Sequence, residues 1–149
     1  MITLTDNSLK KCNNKNIKLS LMLTLLTGDT WYGKYGFRPI EIYDNKYIIA
    51  DLNNNYYENN KKTMNKIKIS DINLMKFIKM TNNTNLITAS KKIITDYPSM
   101  LLKDYLSKIL KDYDKLCENF ITFYEILYNE LGLFNFYKQT FGIILQSKR

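Results

Sequence analysis

The sequence predicts an α+β fold: a small antiparallel β-sheet or hairpin over about residues 17–51, followed by and packed on a C-terminal helical bundle over about 70–145. Three observations carry it. Apolar residues alternate over 17–26, two short β-rich runs flank Asp44-Asn45, and residues 98–131 hold a long apolar row at helical spacing. One domain accommodates all 149 residues, and a hydrophobic content of 45% is enough to build a core.

Residues 1–16 are polar and read as a loosely ordered start with a short strand at Ile2–Thr5. In IKLSLMLTLL (17–26), Ile17, Leu19, Leu21, Leu23 and Leu25 fall on alternate positions, which favours a strand. Leu19, Met22, Leu23 and Leu26 also satisfy helical spacing; the strand is the reading adopted. Thr27–Thr30 is a break, Trp31–Gly36 makes about one helical turn ended by a left-handed Gly36, and Phe37–Tyr43 is a strand. Pro39 places that strand at an edge, or itself near the strand's start. Asp44-Asn45 turns the chain into Lys46–Asp51, completing a hairpin.

Residues 52–69 form an Asn/Lys-rich loop with few apolar groups. Ser70 or Asp71 caps a helix over 71–80, and 86–96 is a short helix. A long helix runs near 98–131, with Pro98 in its first turn, Gly132 as its C-terminal stop and a break allowed near Cys117–Asn119. Fully helical, it would span about 50 Å. Leu102, Leu106, Ile109, Tyr113, Leu116, Phe120, Phe123, Leu127 and Leu131 form its row, flanked by Leu101, Tyr105, Leu110, Cys117, Ile121, Tyr124 and Tyr128. A stripe so broad favours packing within its own domain over a two-stranded coiled coil. Asp104 and Lys108 can pair on the outer face. Residues 133–145 read as a last aromatic helix.

Histidine is absent, which removes His-based nucleophilic catalysis, His general bases and His-ligated metals. No metal site is expected. Cys12 and Cys117 lie far apart without metal-ligand spacing and are expected as reduced thiols, Cys117 as a small core residue. Asp6 and Lys10-Lys11 interrupt the start before any apolar run, and 17–26 is too short to cross a bilayer. A soluble, intracellular, cytoplasmic protein with no membrane partner is therefore expected.

The net charge is +8, almost all of it from lysine, and the excess of +3, +4 and +1 in successive thirds is spread rather than focused. Abundant Asn, Lys, Ile and Tyr match the bias of an AT-rich genome. Lys61, Lys62, Lys66 and Lys68, near Tyr56 and Tyr57, are the candidate nucleic-acid contacts, the tyrosines stacking on bases and the lysines meeting phosphates.

The densest motif is Gly28–Pro39, GDTWYGKYGFRP, with three of the five glycines and the single tryptophan. One reading makes Trp31, Tyr32, Tyr35 and Phe37 an aromatic core of the β region. Tyr32–Pro39, YGKYGFRP, also resembles the late motif of GNAT-type N-acetyltransferases, commonly Y-E-K-L-G-F-R, set between two strands. That resemblance implies Tyr32 as the acid protonating a departing coenzyme A thiolate, with Gly33 and Gly36 as cofactor contacts. A pyrophosphate cradle of the form (Q/R)-x-x-G-x-(G/A) does not precede the motif. The function expected is a non-catalytic interaction or scaffold module with a protein partner and no cofactor, a degenerate GNAT-like piece. The alternatives are an acyl-CoA-dependent N-acetyltransferase and a non-specific nucleic-acid binder.

Overall fold

A computed structural model describes residues 2–49 and 51–143. The chain is α+β, as its sequence predicts. Three short strands, β1 (Ile2–Thr5), β2 (Leu9–Cys12) and β3 (Lys15–Lys18), lead into α1 (Leu19–Thr27). A glycine-rich loop leads to the hairpin β4 (Arg38–Tyr43) and β5 (Lys46–Ile49). Then come α2 (Asp51–Lys66), α3 (Leu74–Ile78), α4 (Thr84–Asp96), α5 (Leu102–Asp112) and α6 (Cys117–Glu130), and the chain returns as β6 (Thr140–Ile143).

Residues 17–26 are helical, not a strand: β3 ends at Lys18 and α1 begins at Leu19. Burial is the reason. Leu21, Met22 and Leu25 enter the core while α1 packs against α2, α5 and α6. A helix enclosed by three others is apolar on nearly every side, so alternation carries little information there. The Thr24 hydroxyl donates back to the Ser20 carbonyl at 2.8 Å, which satisfies a polar group inside that core. Gly28 (φ +81°) closes α1 with its N–H on the Thr24 carbonyl.

The Asn/Lys-rich segment expected as a loop over 52–69 is mostly α2. Tyr57, Asn60 and Met64 supply one buried stripe, enough to hold a helix that its asparagines disfavour on propensity. The single long helix expected near 98–131 is two helices. The chain leaves helical geometry at Tyr113 (φ −126°, ψ 41°) and makes a 3-10 turn over Asp114–Leu116 before α6. The break thus comes just before the Cys117–Asn119 stretch. Pro98 lies in the turn before α5, not in its first turn. Gly132 (φ +65°) follows α6 as expected. The outer-face ion pair is Lys108–Asp112 at 3.2 Å rather than Asp104–Lys108.

Between α2 and α4, the expected 71–80 helix is divided into a 3-10 turn Ile69–Asp71, α3 and a 3-10 turn Lys79–Thr81. Asp71 accepts from the Lys68 N–H inside the first turn, and Asn73 caps α3. The helix expected at 86–96 is α4, opened by Asn73's counterpart Asn83, whose side chain accepts from the Leu86 N–H at 2.9 Å.

Residues 133–143 of the helix expected over 133–145 are not helical, and 144–145 lie outside the described residues. Over Leu133–Gln139 the chain is irregular, and β6 then enters a four-stranded antiparallel sheet of order β1-β6-β4-β5. β6 pairs Ile143 with Ile2 on one side and Phe141 with Pro39 on the other. Pro39 is the second residue of an interior strand, the near-start alternative. Asp44 and Asn45, both at positive φ, form the tight turn of the predicted hairpin. The main core unites α1, α3, α5 and α6 around Leu25, Ile78, Leu106, Phe120, Phe123 and Leu127, each 3% exposed or less. Burying each such side chain contributes roughly 1.5–3 kcal/mol. The apolar row of 102–131 therefore faces this core, as its breadth predicts. A smaller cluster of Tyr57, Phe136 and Phe141, with Leu4, Phe37 and Phe134, lies under the sheet.

Candidate functional site

The loop between α1 and β4 is built around Gly33. Asp29 accepts the Thr30 N–H at 2.8 Å and the Tyr57 hydroxyl at 2.5 Å, and pairs with Lys61 at 3.8 Å. The buried Thr30 hydroxyl accepts from the Gly33 N–H at 2.9 Å, opening the 3-10 turn Gly33–Tyr35. A side chain at Gly33 would collide with the Asp29 carboxylate, the Tyr57 hydroxyl and the Thr30 hydroxyl, so the close approach requires glycine. Gly36 (φ +89°) ends the turn and donates its N–H to the Gly33 carbonyl.

Arg38 locks the loop from the strand side. Its Nη1 donates to the Gly33 and Phe37 carbonyls at 3.1 and 2.9 Å, its Nε lies 4.0 Å from Glu58, and its guanidinium stacks 4.7 Å from the Tyr57 ring centre. Tyr57 is thus held by Asp29, Arg38 and Lys61 together. Burial above all, with the Asp29 hydrogen bond and charge behind it, holds the Tyr57 phenol far above the ordinary tyrosine range. It stays protonated and donates.

The four aromatics of the motif divide. Tyr32 and Phe37 are half-buried, and the Tyr32 ring meets Phe37 and Phe141. The expectation that Trp31 and Tyr35 fill the core fails: they are 37% and 57% exposed. Lys34 lies between them, with its ammonium 3.6 Å from the Trp31 ring centre and 5.0 Å from that of Tyr35. Lys34 follows Trp31 by three residues, and the Trp31 and Tyr35 rings also meet edge-on with their centres 5.9 Å apart.

Of the residues the acetyltransferase resemblance implies, Tyr32 has its hydroxyl 3.2 Å from the Ser8 hydroxyl, and the N–H groups of Gly33 and Gly36 both serve the turn itself. The element before the motif is a helix rather than the strand expected at 17–26. Among the candidate nucleic-acid contacts, Lys61 is drawn inward to Asp29, whereas Lys62 and Lys66 lie one turn apart on the exposed side of α2 and Lys68 follows it. Tyr57 is 1% exposed and so withdrawn from any base, whereas Tyr56 stacks one face on Phe134 at 4.6 Å and stays 37% exposed. Among the described residues, no group of three or more acidic or cysteine side chains is placed to hold a metal, and no helix is long and apolar enough to cross a membrane.

Sequence reasoning missed Asp29, Thr30 and Tyr57 as one constellation. Asp29 and Tyr57 are 28 residues apart, and only α2, read as a loop from its composition, brings them together. It also missed that Cys12 and Cys117 are joined as a disulfide, with Cα atoms 5.9 Å apart, where reduced thiols were expected. The break after α5 sets Cys117 at the start of α6, opposite the end of β2.

Fold and site together define a small α+β domain whose glycine-rich loop is bonded internally and carries an aromatic, cationic face. No family model, curated protein or solved structure matches the chain.

Proposed function

We propose that this chain is a non-catalytic interaction module for a protein partner, with Trp31, Lys34 and Tyr35 as its docking patch. The observation that carries the reading is the outward placement of these three side chains on a turn whose base is fixed by Asp29, Tyr57 and Arg38. Exposed Trp and Tyr side chains are the commonest interface anchors. Cation–π contact pre-orders Lys34, so little side-chain freedom remains to be lost on binding. The internal use of the Gly33 and Gly36 amides supports this reading over acetyl transfer, because a coenzyme A pyrophosphate depends on free main-chain donors.

Cytoplasmic residence belongs to the same proposal. The Cys12–Cys117 bond sets a condition on it, since cytosolic thiol pools keep most such pairs reduced.

The test compares the wild-type chain with the Trp31→Ala/Tyr35→Ala double variant, both checked for equal Tm. A partner identified on the immobilised wild type is expected to bind the variant about tenfold or more weakly. Equal affinity would reject the patch. Coenzyme A at millimolar concentration is expected to leave Tm unchanged; a clear rise would favour the acetyltransferase alternative and Tyr32. Binding to mixed-sequence RNA that weakens steeply with salt, and is lost in Lys62→Gln/Lys66→Gln, would favour the nucleic-acid alternative.

A further inference from the structure

The hairpin β2–β3 stands apart from the four-stranded sheet: its strands pair only with each other, over Leu9↔Lys18 to Cys12↔Lys15. A two-stranded hairpin is marginal without other support. Three of the four β2 residues, Leu9, Lys10 and Lys11, are exposed. The Leu19 N–H closes the hairpin's open end onto the Ser8 carbonyl at 3.0 Å, and the Lys18 ammonium lies 5.1 Å from the Tyr137 ring centre. Cys12 and Ile17 are buried, the Asn14 N–H donates to the Glu118 carboxylate at 3.1 Å on an exposed edge, and the disulfide joins Cys12 to Cys117 at the head of α6.

Beside this bond is a cavity of about 280 Å³, lined by both cysteines and by Lys10, Met22, Leu110 and Asp114. Both cysteines therefore line a space wide enough for a small molecule at the edge of the main core, to which Cys12 belongs. Cys12 is 2% exposed, whereas Cys117 is only partly buried.

We propose that Cys12–Cys117 is a redox clamp: formed, it fastens the β2–β3 hairpin to α6, and a low-molecular-weight thiol entering the adjoining cavity opens it and releases the hairpin while the rest of the fold stands. The thiolate of a first reductant molecule attacks the Cys117 sulfur, forming a mixed disulfide there. Cys12 departs as a thiolate and takes a proton from water. A second reductant thiolate attacks the reductant sulfur of the mixed disulfide and frees Cys117, which is protonated in turn. Two electrons pass to the protein, and the reductant ends as its own disulfide. The clamp does not depend on what the Trp31 face binds.

The bond closes a sequence separation of 105 residues, so opening it also restores freedom to the unfolded chain. A fall in Tm of about 10 °C is expected on reduction. Release should be local, because β2 and β3 pair only with each other and, of the hairpin's residues, only Cys12 and Ile17 are buried in the core cluster that holds Phe120 and Leu127.

The full chain, purified without reductant, is first unfolded and treated with a thiol-alkylating reagent. It is expected to take no label until dithiothreitol is added; labelling of both cysteines beforehand would overturn the bond. Hydrogen exchange of the native chain is then followed with and without dithiothreitol. Amides of residues 9–18 are expected to exchange about tenfold or more faster after reduction, while α5, α6 and the β4–β6 pair stay protected and speed up only as far as the lower Tm accounts for. Unchanged exchange at 9–18 would overturn the clamp, and so would collapse of protection throughout the chain. Cys12→Ser and Cys117→Ser should each reproduce the reduced pattern and ignore dithiothreitol; retained hairpin protection in either would equally reject the proposal.

Discussion

The Asn60 carboxamide pairs with both main-chain groups of Phe134, its Nδ2 donating to the carbonyl at 2.9 Å and its Oδ1 accepting from the N–H at 3.0 Å. A side chain on α2 thus replaces the neighbouring strand that the irregular segment after α6 lacks. Tyr128 donates its hydroxyl to the same Phe134 carbonyl at 2.7 Å. Backbone groups buried away from water need such partners, and here they come from a helix 74 residues earlier.

Asn60→Ala should therefore cost more than a surface truncation. It strands the Phe134 N–H and removes one of two donors to its carbonyl, for about 2–3 kcal/mol. Urea denaturation at neutral pH measures it. A loss below about 0.5 kcal/mol, the usual range of a surface change, would show that water replaces the carboxamide.

Gly33→Ala should cost about 3 kcal/mol, because the added methyl meets three enclosed oxygens at once. Tyr57→Phe should cost about 1–2 kcal/mol by removing the donor to Asp29. Since the Tyr57 hydroxyl is one of the atoms in the way at Gly33, the double variant should lose less than the two single losses together. A double-mutant cycle by chemical denaturation checks this; strict additivity would separate the two residues.

Asp6 supplies a pH dependence whose sign follows from its surroundings. The residue is fully buried, Oδ1 accepts the Ser8 N–H at 3.2 Å, and Oδ2 has no partner among the described residues. Burial raises its pKa above the ordinary 3.8, with the Ser8 hydrogen bonds opposing. Between the unfolded and folded values the native chain holds the extra proton, so this group stabilises fully below the unfolded value. That contribution is lost as pH rises through the folded one. Asp6→Asn should raise Tm at neutral pH and flatten the Tm profile between the ordinary carboxylate range and neutrality. A variant less stable than wild type at neutral pH would mean the charge is compensated.

The amphipathic row from Leu102 to Leu131 was legible because every third or fourth residue reports a single buried face, and tertiary structure only decided where the row breaks. The β4–β5 hairpin was legible because its turn chemistry is local: two residues able to adopt positive φ between β-rich runs. The turn at Gly33–Gly36 was legible for the same reason. Whether its aromatics faced inward was not, because Trp31 and Phe37 look alike in sequence and differ only in which neighbours fold over them.

Composition misled where burial is unusual. Residues 19–27 alternate like a strand, yet they are a helix surrounded by helices. Residues 51–66 look too polar to pack, yet three anchors hold them in place. The class of fold, the main core face and the local turns could therefore be read from the residue order, all being properties of residues within a few positions of one another. The return of β6 to the middle of the sheet, the meeting of Tyr57 with Asp29 and that of Cys12 with Cys117 emerge only in the folded chain. Each of those is a contact between distant segments, and its free energy exists only once the intervening chain has already been placed.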